Sequence, residues 1–241
     1  MNIIPNLCEN NPEFLIFNKN FDAKYFEFLD AKIIYGEKLE KLNPPVDTHI
    51  DMQLVHLGEN TFVCEKSLFS YYKKVLPKGF NLLKGETSLS CNYPNDIAYN
   101  IARVGNKVIH NFKFTDNVIK NYINEHNLTM IDVSQGYAKC NVCIVDENSI
   151  ITSDEGIFKK CTLYGMDVLK INPGYINLEG YDYGFIGGAS VKINKNTLLF
   201  FGDISKHPDY EKIKLFLSKK GINIVCLKEG MLEDIGSVIA L

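Results

Sequence analysis

Arginine is almost absent from this sequence: Arg103 is the single arginine among 26 basic residues in a chain of 241. The formal net charge is −3, and the lysines are dispersed among acidic residues. Guanidinium forks recognise phosphates and guanine bases most specifically, and a nucleic-acid surface normally gathers its basic residues into one stripe. The composition therefore predicts no nucleic-acid partner.

Long apolar runs are also missing. None approaches the roughly 18 to 20 residues that span a bilayer, and the N-terminal stretch MNIIPNLCENNPEF lacks the charged and apolar regions of a signal peptide. The seven cysteines are odd in number and scattered, which fits a reducing compartment better than a disulfide framework. We therefore expect a cytoplasmic globular protein with free thiols and no membrane contact.

An internal repeat organises the chain. The motif ENTFV at Asn60 returns as GNKVI at Asn106, ENSII at Asn148 and KNTLL at Asn196, at spacings of 46, 42 and 48 residues. Each asparagine follows a run suited to a strand and stands where a tight turn tolerates it. The sequence therefore predicts four β-hairpins.

The segment after each hairpin is repeated as well. An amphipathic helical run and then a short apolar run of strand type follow every time. The runs pair as SLFSYYKKVL with FNLLKG, TDNVIKNYINEHN with LTMIDVS, GIFKKCTLYG with MDVLKIN, and HPDYEKIKLFLSKKG with INIVCLKEG. The repeating unit is strand, strand, helix, strand.

The two ends of the chain supply a fifth unit. DIGSVIAL at the C-terminus is typical of a first strand, and EFLIFN, FDAKYFEFL and AKIIYG near the N-terminus supply the second strand, the helix and the third strand. Pairing of the two ends would close the five units into a ring without an open sheet edge. No Pro/Gly/Ser-rich linker interrupts the pattern, so we expect one α/β domain over residues 1–241.

Five strand-strand-helix-strand units closed into a ring resemble the pentein fold, the five-bladed α/β-propeller of the guanidino-group-modifying superfamily. Its members include arginine deiminases, dimethylarginine hydrolases, agmatine deiminases and amidinotransferases. The resemblance covers nearly the whole chain. It implies a central channel lined by the first strands, in which a histidine, a cysteine nucleophile and carboxylates act on a guanidine or amidine.

His49 and Asp51 stand at the head of a predicted strand in the stretch THIDMQLVHLGENTFV, where alternate residues share one face. Within the resemblance, His49 corresponds to the channel histidine, and the His-x-Asp form is similar to that of the deiminases. Asp51 and Asp96 are the carboxylates expected to orient a planar guanidinium through paired hydrogen bonds. The simpler alternatives are a polar strand cap for His49 and a turn role for Asp96 in YPND.

The nucleophile departs from the family pattern. The superfamily places it in a GG-x-x-C motif near the C-terminus, whereas FIGGASVKI carries Val191 at that position and DIGSVIAL has no cysteine. By itself the GG pair indicates only close backbone packing.

A circularly shifted order of units supplies a cysteine instead. SQGYAKCNVCIV contains Cys140 and Cys143 two units after His49, which is the interval that the family implies. Asp234 in EDIGS then takes the place of a carboxylate that contacts the guanidinium, although a Glu-Asp pair is equally typical of a surface. We predict Cys140, which lies nearer the strand entrance, as the nucleophile. Counting back from the turn asparagine favours Cys143, which in VCIV is otherwise a small buried hydrophobe.

Two classes of function remain. One is a cysteine-dependent hydrolase or amidinotransferase that acts on a small cationic guanidino or amidino compound through a covalent thiouronium. The other is a protein of the same fold that binds a small cation or a protein partner without turnover. A lone Cys-x-x-C pair is a poor zinc site, because positions i and i+3 of a strand face opposite ways and no second pair is nearby. We predict neither a metal nor another cofactor.

Overall fold

Five three-stranded sheets contain most of the strands in residues 4–241, the part of the chain that this computed structural model describes. In each of them the middle strand pairs antiparallel with one neighbour and parallel with the other. A two-stranded parallel sheet joins two short strands from connecting segments. The architecture is mixed α/β, as predicted.

The strands are β1 Phe14–Phe17, β2 Lys32–Tyr35, β3 Leu54–Gly58, β4 Thr61–Cys64, β5 Asn81–Lys84, β6 Ala102–Val104, β7 Lys107–His110, β8 Thr129–Asp132, β9 Cys143–Ile144, β10 Ser149–Thr152, β11 Asp167–Lys170, β12 Ile176–Asn177, β13 Ser190–Asn194, β14 Thr197–Phe200, β15 Asn223–Cys226, β16 Leu232–Glu233 and β17 Val238–Ala240. The α-helices are α1 Phe69–Val75, α2 Asn117–Glu125, α3 Ala138–Asn141, α4 Glu155–Leu163 and α5 Tyr210–Ser218. Short 3₁₀ helices span Ala23–Leu29, Val46–Thr48, Ile50–Met52, Lys66–Leu68 and Ile204–Lys206.

The four predicted hairpins are confirmed, and their turns explain the asparagine repeat. The strand pairs are β3 with β4, β6 with β7, β9 with β10, and β13 with β14. The backbone carbonyl of each turn asparagine accepts the N–H of the first residue of the third strand, at 2.7 to 2.9 Å. The same turn therefore reverses the chain and fixes the start of the parallel strand that follows the helix.

The chain ends meet in one sheet, as the sequence predicts. β17 pairs antiparallel with β1, with Ile239 opposite Ile16, and β1 pairs parallel with β2. The carbonyl of Leu241 accepts the backbone N–H groups of Glu13 and Phe14. The C-terminal strand thus completes the unit that the N-terminal segment begins.

The first strand of each unit is the most deeply buried. Every residue of β3, β6, β9 and β17 is buried, and only the last residue of β13 is not. The third strands β5, β11 and β15 instead expose their ends. β13 also contacts β9 and β17. The first strands therefore line the interior of the molecule.

Buried carboxylates form hydrogen bonds between neighbouring units. Asp116 caps the start of α2, and its Oδ2 also accepts the backbone N–H groups of Glu86 and Thr87 from the preceding unit, at 2.9 and 2.6 Å. Asp209 accepts the N–H of Asn172 at 2.7 Å in the corresponding way before α5. These contacts set the position of one unit against the next. Within residues 4–241, none of the helices is long and apolar enough to cross a membrane.

Candidate functional site

His49 and Asp51 lie in turns and not on a strand. His49 stands between the 3₁₀ helices Val46–Thr48 and Ile50–Met52, and Asp51 is inside the second. The prediction that the two side chains share one face of a strand is wrong, because β3 begins only at Leu54.

A contact from the C-terminal segment holds this turn. The backbone N–H of Asp51 donates to the carbonyl of Gly236 at 3.2 Å, which takes the place of a strand hydrogen bond. Gly236 has a φ of +77°, and a Cβ there would lie 2.2 Å from Cγ of His49. Both the positive φ and the lack of space for a Cβ require glycine at position 236. Gly236 thereby places His49 against the segment that carries Asp234.

Cys140 lies beside Asp51. It belongs to helix α3, ahead of strand β9, and its Sγ donates to Oδ2 of Asp51 at 3.2 Å. Asn100 donates from Nδ2 to the same sulfur at 3.0 Å and to the backbone carbonyl of Asp51 at 3.1 Å. Its Oδ1 accepts the backbone N–H groups of Lys139 and Cys140 at 2.8 and 3.2 Å. Asn100 thereby orients the thiol against the carboxylate.

The thiol of Cys140 is protonated in the free protein near neutral pH. Burial raises the pKa of this thiol well above its ordinary value, and the negative charges of Asp51 and Asp234 raise it further. The hydrogen bond from Asn100 opposes this rise. A positive charge in addition to that of Lys139 is therefore needed before the sulfur can act as a thiolate.

One carboxylate oxygen of Asp51 lacks a hydrogen-bond partner in the described chain. Its Oδ1 is buried and has no hydrogen-bond partner among residues 4–241. Burial raises the pKa of the Asp51 carboxyl, and Asp234 raises it as well, whereas His49 and Lys139 lower it. A buried acceptor without a donor is costly, so this oxygen favours a bound donor such as an N–H group.

Asp234 is buried, so the surface alternative for this residue is wrong. Its carboxylate accepts the backbone N–H groups of Phe185 and Gly236, both at 2.9 Å. Burial raises the pKa of the Asp234 carboxyl to about 6. The group is therefore ionised at neutral pH and carries a proton in mildly acidic solution.

The GG pair is explained by close packing, as its sequence suggests. A Cβ on Gly188 would lie 1.9 Å from Oδ1 of Asp234, and a Cβ on Gly187 would lie 2.7 Å from the backbone carbonyl oxygen of Cys140. The N–H of Gly188 donates to that carbonyl at 3.0 Å. These two glycines therefore let the segment of Cys140 approach the carboxylate of Asp234.

A cavity of about 630 Å³ is lined by His49 and Asp234, whereas Asp51 and Cys140 do not line it. Burial lowers the pKa of the His49 imidazole, and the charges of Asp51 and Asp47 oppose this effect. His49 is only 2% exposed, and its ring makes no hydrogen bond to another of residues 4–241. The imidazole is therefore neutral and has both nitrogens available for a ligand.

Lys139 and Asn100 are site residues that the sequence analysis missed. The ammonium of Lys139 donates to Oγ of Ser237 at 2.8 Å. Burial lowers the pKa of Lys139, whereas the charges of Asp51, Cys140 and Asp234 raise it. Each lies beside a predicted element, Asn100 just before β6 and Lys139 directly before Cys140, but no local pattern distinguishes them from other polar residues.

The side chains of Asp96 and Cys143 make no hydrogen bond to His49, Asp51, Cys140 or Asp234. Oδ2 of Asp96 accepts the hydroxyl of Tyr137 at 2.5 Å, and Asp96 occupies a turn, as the simpler alternative states. Cys143 is on strand β9 in an apolar cluster, and burial raises the pKa of its thiol to about 11. The structure thus brings together His49, Asp51, Cys140 and Asp234. In the described part of the chain, no three or more His, Cys, Asp or Glu side chains are arranged so that they could hold a metal ion.

A family model matches residues 18–239, and its description is "Family of unknown function (DUF6873)". The match covers well over half of the chain. The chain belongs to the DUF6873 family. No curated protein matches the sequence.

Solved structures show that this member of the DUF6873 family has the pentein fold. DDAH from Pseudomonas aeruginosa, a cysteine-to-serine mutant complexed with citrulline, aligns with a TM-score of 0.60 and 8% identity over 96% of this chain and 100% of that one. Inosamine-phosphate amidinotransferase from Streptomyces griseus aligns with a TM-score of 0.57 and 10% identity over 100% and 97%. Agmatine deiminase from C. jejuni aligns with a TM-score of 0.55 and 13% identity over 94% and 90%. At such low identity the likeness establishes the fold and not an activity.

Proposed function

We propose that this protein is a cysteine-dependent hydrolase or amidinotransferase that acts on a guanidino or amidino compound. The observation that carries the proposal is the contact of 3.2 Å between Sγ of Cys140 and Oδ2 of Asp51, inside a buried cluster that also contains Asp234 and the unpartnered ring of His49. The fold neighbours whose names state a deiminase or an amidinotransferase support the same substrate class.

The proposed architecture is one domain in which the five sheets close into a five-bladed α/β-propeller around a central channel. The pairing of β1 with β17 and the burial of the first strands support it. Closure satisfies the strand edges at both chain ends.

The charges explain why a guanidinium suits this cluster. A planar cation with five N–H donors supplies what Oδ1 of Asp51 lacks, and it neutralises Asp51 and Asp234 together. Its positive charge also lowers the pKa of the adjacent Cys140 thiol, because an opposite charge favours the thiolate. The substrate would therefore activate the nucleophile on binding.

The chemical steps follow from the groups present. Sulfur of Cys140 attacks the central carbon while its proton passes, by way of the Asp51 carboxylate that accepts the thiol hydrogen bond, to neutral His49, and the C–N bond breaks as that proton passes to the departing amine. Water or an acceptor amine then attacks the thiouronium carbon, the C–S bond breaks, and Cys140 is restored. Asp51 and Asp234 hold the planar group throughout.

One observation favours the second candidate, a protein that binds the cation without turnover. The Cys140 thiol is protonated in the free protein and donates to Asp51. Unless a ligand overcomes this bias, the sulfur remains unreactive.

Paired alkylating reagents separate the two candidates. Chloroacetamidine is cationic and chloroacetamide is its neutral counterpart, so the ratio of their rates at each cysteine reports whether a positive charge activates the thiol. Relative to the exposed Cys91, we expect the ratio at Cys140 to be larger by about tenfold or more, the effect of one charged hydrogen bond. Peptide mapping after brief treatment reads all seven cysteines at once.

Three variants control this experiment. Asp51→Asn keeps the size of the side chain and should abolish the advantage of the amidine, and His49→Ala should slow the reaction at Cys140. Cys140→Ser should remove the rapid modification and leave the other sites unchanged. Preferential labelling of Cys143 would make it the nucleophile. Equal ratios at Cys140 and Cys91 would refute the catalytic proposal and leave the binding protein.

A further inference from the structure

The cavity at His49 is much larger than a guanidinium needs. A water molecule occupies roughly 30 Å³ of liquid, so a group of four heavy atoms fills on the order of 100 Å³. The cavity measures about 630 Å³. Most of its volume is therefore available for the remainder of the ligand, and the residues that line that remainder determine which ligand fits.

One loop lines much of this volume and is hydrogen-bonded to Asp234. Residues 177–182 all border the cavity. The carbonyl of Asn177 accepts the N–H of Asp234 at 2.9 Å, and the N–H of Gly184 donates to the carbonyl of Ile176 at 2.7 Å. The N–H of Phe185 donates to the Asp234 carboxylate itself at 2.9 Å. Both ends of the loop are thus hydrogen-bonded to Asp234, one through its backbone N–H and the other through the carboxylate that we assign to the guanidinium.

The charges of the cavity are of one sign. Glu179 and Asp182 are exposed and form no ion pair within 4.0 Å among the described residues, whereas Glu233 is paired with Lys228. None of the described residues that line the cavity is a lysine or an arginine. The buried ring of His49, which has no hydrogen-bond partner in the described chain, faces the same cavity and independently indicates that a polar ligand completes the site.

We propose that the ligand is a dication without a carboxylate: a guanidino or amidino group held by Asp51 and Asp234, joined by an alkyl chain to a second amine held by Glu179 and Asp182. This inference rests on the proposed function and names its substrate class. Tyr181 lies between the two loop carboxylates in sequence and lines the cavity, where its ring can receive an ammonium group. Glu179 and Asp182 are specificity residues and take no part in the bond-making steps.

A guanidino acid would be disfavoured by the same lining. Its carboxylate would stand near Glu179, Asp182 and Glu233, and no basic side chain of the described lining could receive it. Like charges repel within a Debye length, which is about 10 Å at 0.1 M salt. Discrimination against the guanidino acid should therefore be strongest at low ionic strength.

Three probes with the same guanidine and four-carbon chain test this inference: butylguanidine, guanidinobutylamine and guanidinobutanoate. Calorimetry on the full chain at low salt should give the amine an affinity about threefold to tenfold higher than butylguanidine, the sum of two exposed ion pairs. The acid should bind more weakly than butylguanidine. The double variant Glu179→Gln with Asp182→Asn should remove the advantage of the amine over butylguanidine, and it should weaken the binding of the amine more than that of butylguanidine.

A matched control is Glu211→Gln, which removes an exposed carboxylate on α5 outside the cavity and should change none of the three affinities. If butylguanidine binds and the amine binds no tighter, or if the double variant keeps the preference, the dication inference is wrong while the proposed function stands. Tightest binding of the acid would also overturn it. If none of the three probes binds, the proposed function itself fails, and the inference fails with it.

Discussion

Single residues decide the charge of the site. Asp51 and Asp234 are two buried acids with one nearby amine, Lys139, whose ammonium is also engaged by Ser237. The cluster thus has an excess of negative charge when both acids are ionised. This excess raises the pKa of the Cys140 thiol, and it is also what a cationic ligand would relieve.

The pH dependence of stability should reveal Asp234. Its pKa rises from about 4 in the unfolded chain to about 6 in the folded protein, so the folded state binds more protons between these values. The contribution of Asp234 to the free energy of unfolding should therefore be greatest below pH 4 and fall as the pH rises through 6, by about 3 kcal/mol for two pKa units. Urea unfolding of the wild type and of a variant that lacks this carboxyl, from pH 4 to pH 7, isolates this fall.

Asp234→Asn provides the comparison, because an amide has no proton to lose. The difference in free energy of unfolding between wild type and variant should shift in favour of the variant as the pH rises, since the other titrating groups are shared. Parallel pH curves for the two proteins would contradict the assigned burial of this carboxylate.

Secondary-structure elements are placed by repeated backbone contacts and by glycines at close approaches. In four units the carbonyl of the turn asparagine accepts the first backbone N–H of the third strand. This contact depends only on residues within the same unit. The GG segment before β13 is different, because Gly187 and Gly188 are needed for contacts with residues distant in sequence. The structural role of the GG pair therefore depends on how a distant segment packs against it, and the sequence pattern alone does not show that role.

Gly188→Ala should disrupt the contact with Asp234. The added Cβ would lie 1.9 Å from Oδ1, so the carboxylate must move and lose its backbone donors, at a cost of about 2 to 4 kcal/mol of unfolding free energy. Chemical denaturation of the single variants and of a double variant with Asp234→Ala measures the coupling.

The cost of Gly188→Ala should be much smaller in the Asp234→Ala background, because the clashing atoms are gone. Gly165→Ala is the matched control: Gly165 has a φ of +74° and nothing within 4 Å of an added Cβ, so only the backbone strain is felt. Its cost should be the same with or without Asp234. Additive costs for Gly188→Ala and Asp234→Ala would argue against the contact.

The fold of the whole molecule depends on the pairing of its two chain ends. β17 is buried and pairs with β1, and its neighbour Gly236 holds the turn of His49. The C-terminal segment thus supports both the sheet and the site. Loss of this segment is expected to affect them together.

Removal of the last eight residues should therefore leave β1 with an unpaired edge and an exposed apolar surface, and the protein should become insoluble or associate. Size-exclusion chromatography and thermal melting test this. Ile239→Lys should produce a milder form of the same defect by placing a charge at a buried position, and Ile239→Val is the conservative control. A truncated chain that stays monomeric and melts like the full chain would contradict ring closure.

Local signals were sufficient for most of the fold. Apolar periodicity and turn asparagines specify hairpins, helices and parallel strands within about 40 residues of each other, and the half-units at the ends indicate their pairing. The wrong prediction of a strand at His49 also arises from reliance on local signals. An apolar run predicts a strand from its own residues, but the 3₁₀ turns at Val46–Thr48 and Ile50–Met52 are held by Gly236, which is distant in sequence.

The sequence by itself determined the repeating unit, the chain-end pairing and candidate residues for the proposed guanidine site, because these follow from patterns along the chain. Only the tertiary structure decided that Cys140 contacts Asp51, that Asp234 is buried, that Asp96 bonds Tyr137 and that Asn100 and Lys139 join the cluster. The physical reason is that hydrogen bonding and burial set the protonation of these groups, and both depend on side chains that lie up to 185 positions apart, as His49 and Asp234 do.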